Sequence, residues 1–144
     1  MSIATYIGLN FEVALSDEII DDEIEIHYCF SDEENRMTVK EKHFTTQFVY
    51  EIMEKSEQIW NMNEYNQQYS PHNFEKAQTT FIQLCEFLKE LIPEGDYCEI
   101  YICWIGDEND PMEYKLSIDL NNPTIKPFEY YEKCYIKFFK EKKF

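Results

Sequence analysis

The sequence predicts an α+β fold in which a mainly antiparallel β-sheet is packed by one long amphipathic helix. Period-two alternation of apolar residues dominates both ends of the chain, which is typical of half-buried strands. A single central stretch, residues 71–92, changes to the helical period. With 144 residues, 44% hydrophobic and 17% aromatic, the chain is long and apolar enough to fold as one globular domain over residues 1–144.

Three strands are predicted in the first half of the chain. Residues 3–13 carry a nearly continuous apolar face at odd positions, and residues 24–30 alternate apolar with polar side chains. A polar turn at residues 31–36 leads to a third alternating stretch at 44–52. Residues 58–62 are expected to form a short additional strand.

The helix has clear boundary signals. Ser70 followed by Pro71 is a favourable start, while Pro93 and Gly95 end the helical pattern. Apolar side chains recur at i, i+3, i+4 and i+7 and predict the face that covers the sheet: Phe74, Ala77, Phe81, Leu84, Cys85, Leu88, Leu91 and Ile92.

Two alternating stretches after the helix, residues 98–104 and 112–120, predict a β-hairpin. The connection at 106–111 is rich in turn-forming residues. Residues 134–139 are predicted to form a last strand. On residues 97–103, tyrosines occupy the side opposite the apolar face, so they are predicted either to form a surface cluster or to lie beneath a second layer.

The charge is the most informative functional feature. Twenty-nine acidic residues oppose 13 basic ones, for a formal net charge of -16 and a pI near 4.4. Charge of this size repels nucleic acid and anionic membranes and attracts basic proteins over a distance. We therefore expect a basic protein partner, no nucleic-acid partner and no membrane partner.

The cysteine pattern and the N-terminus predict a cytoplasmic protein. The five cysteines are odd in number and contain no C-x-x-C pair, which favours reduced thiols. The N-terminus has no basic residue before an apolar run, and no apolar run approaches the roughly 18 residues of a membrane span. Twelve lysines against one arginine, with few Ala and Gly, are consistent with an AT-rich bacterial genome.

Catalytic and cofactor motifs are absent from the sequence. It contains no G-x-S-x-G, P-loop, G-x-G-x-x-G or H-E-x-x-H pattern, and only three glycines. We expect no enzyme activity, no cofactor and no bound metal. The acidic loop at 107–113 lacks the EF-hand spacing and is predicted to be a turn rather than a calcium site.

A metal-dependent hydrolase is the alternative from a different functional class. Its candidate ligands fall on one side of a single predicted strand: Glu23, Glu25, His27 and Cys29. Alternate residues on a strand lie about 7 Å apart, so neighbouring side chains could share an ion only with help from another strand. The simpler interpretation is the polar face of a half-exposed strand.

The candidate partner-binding residues form the densest acidic segment and a second acidic group one predicted strand away: Asp17, Asp21, Asp22, Glu23 and Glu25, with Asp32, Glu33 and Glu34. Clustered carboxylates accelerate association with a basic partner. A solvated, solubilising loop is the competing interpretation.

These features together predict a small acidic binding domain that neutralises a basic partner. Immunity proteins, in which an acidic domain blocks the basic cleft of a bacterial toxin nuclease, are the type of protein that this composition fits. A DNA-mimic protein of a phage or mobile element is a related alternative. A homo-oligomer without a basic partner is another.

Overall fold

The computed structural model describes residues 2–15, 23–28, 31–128 and 132–142. The elements follow one another along the chain as β1 Ile3–Leu9, β2 Ile24–His27, α1 Glu33–Lys42, β3 Phe48–Glu54, a 3₁₀ turn Ile59–Asn61, α2 Glu64–Tyr69, α3 Pro71–Leu91, β4 Tyr97–Trp104, β5 Tyr114–Asp119 and β6 Cys134–Phe139.

The six strands form one sheet in the order β2-β3-β1-β4-β6-β5. Every neighbouring pair is antiparallel except β5 and β6, which are parallel. The predicted fold class, a mainly antiparallel sheet packed by one long helix, is confirmed. The two sheet edges are therefore β2 and β5.

Helix α3 covers one face of the sheet along the predicted apolar stripe. Phe81 is 2% exposed, and its ring packs edge-on against Phe128 and at a tilt against Phe138 of β6. The buried helix residues are Phe74, Ala77, Thr80, Phe81, Leu84, Cys85 and Leu88. Leu91 is only partly buried. The helix therefore supplies one wall of the main core.

A second layer covers part of the opposite face. Tyr6, Tyr101 and Tyr135 lie side by side on strands β1, β4 and β6, and all three are buried. Val39 of α1 and Phe44 complete this smaller apolar cluster. The tyrosines on this side of β4 and β6 are thus mostly core residues rather than a surface cluster.

Helix α1 replaces much of the turn predicted at residues 31–36. Asp32 is its N-cap, with a carboxylate oxygen 2.8 Å from the backbone nitrogen of Asn35. Acidic residues occupy the first turn and lysines the last, which suits the helix dipole. Only Val39 is buried, so α1 has no apolar stripe that periodicity could reveal.

Two further predictions were wrong. Residues 58–62 contain a 3₁₀ turn instead of a strand. Strands β4 and β5 do not form a hairpin, because β6 inserts between them and pairs with both. Alternation predicted a strand wherever the structure has one, but residues 10–13 follow β1 and residues 44–47 precede β3 instead of belonging to them. Alternation also carries no information on which strands become neighbours.

Within the described ranges, no helix is long and apolar enough to cross a lipid bilayer.

Candidate functional site

The structure divides the predicted acidic patch. Asp17, Asp21 and Asp22 lie outside the described residues. Glu23 immediately precedes β2 and closes its pairing with β3: its Oε1 accepts a 2.8 Å hydrogen bond from the Ser56 backbone amide, and its carbonyl accepts one from Lys55. Glu23 therefore has a structural role at one end of the edge strand.

Glu25 lies on β2, on the same side of the sheet as α1, with Met53 as its cross-strand neighbour. Its Oε1 is buried and has no hydrogen-bond partner in the described part of the chain. The pair Ile26 and Ile52 lies on the opposite side of the sheet, against the α3 core.

Asp32, Glu33 and Glu34 are all exposed at the N-terminus of α1. Glu33 lines the same surface depression as Tyr28, which directly follows β2. Glu23 precedes the other end of this strand, five residues from Tyr28, or about 16 Å along an extended chain. Two of the predicted groups thus lie at opposite ends of the edge strand rather than in one cluster.

The depression beside α1 is the candidate site. It has a volume of about 410 Å³, and its lining includes Glu12, Tyr28, Glu33, Arg36, Met37, Lys40, Gln47, Phe48, Val49 and Tyr50. Tyr28 and Met37 are 49% and 52% exposed, which is high for large apolar side chains. Aromatic residues, Met and Arg are the types enriched in protein interfaces.

Arg36 holds Tyr28 in position. Its guanidinium carbon lies 3.8 Å from the centre of the Tyr28 ring, and the ring also stacks on Tyr50 at 5.7 Å. The Nη1 group of Arg36 donates hydrogen bonds to the carbonyl and hydroxyl oxygens of Ser31. These contacts restrict both side chains, so binding of another molecule at this surface would cost little further side-chain entropy.

A buried carboxylate on β3 holds Ser31, the residue to which Arg36 donates its hydrogen bonds. Glu51 of β3 is 1% exposed, and its Oε2 accepts hydrogen bonds from the backbone amide and the hydroxyl of Ser31. Ser31 in turn accepts from Arg36. A continuous polar chain thus connects the sheet to the half-buried Arg36 side chain.

The sequence did not single out Tyr28, Arg36 or Met37 as functional residues. Alternation placed Tyr28 among apolar strand positions, and Arg36 lay in the predicted turn. One signal was available, because Arg36 is the only arginine among 13 basic residues.

The acidic loop near residue 108 has an internal role. Glu108 is 4% exposed and accepts hydrogen bonds from the Tyr6 hydroxyl, the Asn35 side-chain amide and the Gly106 backbone amide. Burial, followed by the nearby Glu108 carboxylate, raises the pKa of the Tyr6 hydroxyl. Glu108 therefore ties α1 to the sheet, and the loop that carries it connects β4 and β5 without forming the predicted hairpin turn.

Glu99 anchors the loop between α1 and β3. It is completely buried, and its Oε1 lies 2.8 Å from the backbone nitrogens of both Thr45 and Thr46. Its other oxygen accepts a hydrogen bond from the Tyr135 hydroxyl. Gly8 is required at this point, since an added Cβ would lie 2.0 Å from the Thr46 hydroxyl oxygen.

The proposed metal ligands do not form a recognisable centre. Among the described residues, no group of three or more His, Cys, Asp or Glu side chains is placed to hold an ion. Glu25 and His27 do share one side of β2, as alternation requires, but Cys29 lies outside the described residues.

Comparisons with protein-family models, with curated proteins and with solved structures found no match.

Proposed function

We propose that this chain is a small acidic protein-binding domain that neutralises a basic partner. The depression beside α1 is the contact surface. The observation that carries the proposal is the Tyr28–Arg36 pair, an exposed aromatic ring that is already held in place within a concave surface. Rigid aromatic and arginine anchors of this kind supply a large share of the affinity in protein complexes.

In this proposal the net charge sets the association rate, and the depression sets the lifetime of the complex. A formal charge of -16 draws a basic protein toward the domain and mainly raises the association rate. The depression itself is electrically balanced, because Glu12 and Glu33 line it together with Arg36 and Lys40. Its apolar lining residues, Tyr28, Met37, Phe48 and Val49, therefore determine how long a partner stays bound, and its carboxylates receive cationic side chains.

A bacterial toxin nuclease is the partner type that this chemistry fits best, since its active cleft must be basic to bind nucleic acid. The domain would then act as an immunity or inhibitor protein in the cytoplasm. Four cysteines, Cys85, Cys98, Cys103 and Cys134, are buried free thiols, which is consistent with a reducing compartment.

Kinetic measurements with a partner purified together with the tagged chain test this proposal. We expect a basic partner whose association rate falls steeply as salt is raised, because screening removes the long-range attraction. Replacing Glu12 and Glu33 by Gln should slow association further than replacing Glu75 and Glu90, two exposed glutamates of α3. Both double variants remove two negative charges, so any difference between their association rates comes from where on the surface those charges lie.

Three results would count against the proposal: an acidic partner, an association rate that does not depend on salt, or equal effects of the two double variants. An acidic partner or a salt-independent rate would show that long-range electrostatic attraction does not drive association. The third would place the contact away from α1.

A further inference from the structure

We propose that β5 is a self-association edge, at which a second copy of this chain pairs antiparallel with the first. Among the described residues, strand β5 lies at one edge of the sheet and pairs only with β6. An exposed edge strand presents a row of backbone groups that another strand can bind. This surface is independent of the depression beside α1.

The backbone directions show which groups face outward. Within the strand and at its end, the amides of Tyr114 and Leu120 donate to the Lys133 and Phe139 carbonyls on the β6 side. The amide of Glu113, which precedes the strand, also donates to the Lys133 carbonyl, so the alternation begins at Tyr114. Since successive residues of a strand direct their amide and carbonyl to opposite sides, Lys115, Ser117 and Asp119 direct theirs away from β6. These are the groups a second strand would meet.

Charge complementarity selects one register for two copies related by a twofold axis perpendicular to the sheet. When Ser117 lies opposite Ser117 of the second copy, Lys115 lies opposite Asp119 of that copy, and the reverse pair forms as well. A shift by one residue on each strand, centred on Leu116, would instead place Glu113 opposite Asp119. Opposite charges facing each other across strands stabilise pairing, whereas like charges disfavour it.

Backbone hydrogen bonding agrees with this register. The two Ser117 residues would exchange amide-to-carbonyl bonds, and each Asp119 amide would donate to the Lys115 carbonyl of the other copy. The Asp119 carbonyl already accepts a bond from the Asn122 amide within its own turn. In this register the same carbonyl would accept a second bond from the Lys115 amide of the other copy, which its two lone pairs allow.

The α3 side of the edge adds apolar contact. A groove of about 340 Å³ runs beside β5 and is lined by Tyr114, Leu116 and Ile118 on the strand and by Lys126 and Pro127 on the returning segment. In the proposed register Leu116 lies opposite Ile118 of the second copy. Leu116 is partly exposed in the single chain, so pairing would bury more of it.

Sedimentation velocity over a series of protein concentrations tests the proposal, because a six-residue strand makes a small and concentration-dependent interface. Lys115→Glu should raise the dimer dissociation constant about tenfold or more, since it creates two repulsive pairs. The double variant Lys115→Glu/Asp119→Lys restores complementarity and should return the constant to about the original value. Lys42→Glu, an exposed α1 lysine, is the control with the same change in charge.

The Asp119 carboxylate also accepts a hydrogen bond from the Asn121 amide, so replacing Asp119 by Lys could perturb the turn after β5. Hydrogen exchange of the backbone amides in the unsubstituted chain therefore gives a second, independent measurement. In the original chain, exchange at Lys115, Ser117 and Asp119 should slow as the dimer forms. A chain that stays monomeric at every concentration would overturn the proposal. So would equal dissociation constants for Lys115→Glu and Lys42→Glu, or protection of β5 only by a different protein.

Discussion

The guanidinium carbon of Arg36 lies 3.8 Å above the centre of the Tyr28 ring, and this contact joins α1 to the end of the edge strand β2. The two residues are eight positions apart in the sequence and meet where α1 packs on the sheet. Cation–π contacts of this kind contribute about 0.5–1 kcal/mol at exposed positions. Their main consequence here is that an exposed aromatic ring has a fixed orientation.

Tyr28→Ala should weaken partner binding mainly through faster dissociation. A central aromatic anchor is worth about 2 kcal/mol or more, which corresponds to roughly a thirtyfold higher dissociation rate. The association rate should change little, because the substitution leaves the charge unchanged. Surface plasmon resonance with the purified partner measures both rates. Tyr65→Ala, on a 69% exposed tyrosine of α2, is the control and should leave both rates unaltered.

Phe81→Ala should lower the free energy of unfolding by about 3–5 kcal/mol, because it empties a fully packed site beneath α3. Ile82→Ala, one residue further along and 40% exposed, should cost about 1 kcal/mol or less. Urea denaturation followed by circular dichroism measures both. Similar losses for the two variants would mean that the helix is rotated relative to the sheet.

Glu99→Leu should destabilise the domain by about 2 kcal/mol or more, even though it makes the interior more apolar. The Thr45 and Thr46 amides and the Tyr135 hydroxyl would lose their acceptor, and each buried unsatisfied donor costs about 1–3 kcal/mol. Glu86→Leu, at an exposed position of α3, provides the comparison in the same denaturation experiment. A stable Glu99→Leu protein would show that the buried carboxylate is not needed to anchor this loop.

Ionisation of Glu54 should lower the free energy of unfolding as the pH rises from about 4.5 to about 8. Burial, with a smaller contribution from the Glu23 carboxylate, raises the pKa of Glu54 from 4.5 to about 8. Between these two values the folded state keeps a proton that the unfolded state has released, so stability decreases across this window and levels off above it. Glu54→Gln should abolish the contribution. Unfolding free energies at about pH 5 and pH 9 measure it, and identical slopes for both proteins would contradict the assignment.

Sequence periodicity predicted the regular elements whose buried residues recur at a fixed spacing. The odd-numbered residues of β1 face the α3 core and the stripe of α3 faces the sheet, so their periodicity is visible in the sequence. The even-numbered residues of β1 are buried as well, on the α1 side of the sheet, which their smaller or more polar character does not indicate. Helix α1 buries only Val39 and was missed for that reason. The insertion of β6 between β4 and β5 depends on long-range packing, which alternation does not encode.

Of the candidate site, the sequence predicted only the exposed acidic residues. Glu33 and Glu34 were identified as exposed acidic residues, and both are exposed at the start of α1. The contribution of Arg36 could not be foreseen, because it requires α1 to pack on β3, next to the residue that follows β2. Glu51, Glu99 and Glu108 show the opposite case: they resemble surface acids in the sequence but are buried acceptors.

The side-chain resonance of Arg36 offers the most direct test of the central claim, that a partner binds at the depression beside α1. Because the chain contains a single arginine, its Nε–H group gives one unambiguous signal in a ¹⁵N correlation spectrum. Titration with the purified partner should shift or broaden this signal in proportion to complex formation. An Arg36 signal that stays unchanged while backbone amides elsewhere shift would place the binding surface on another part of the molecule.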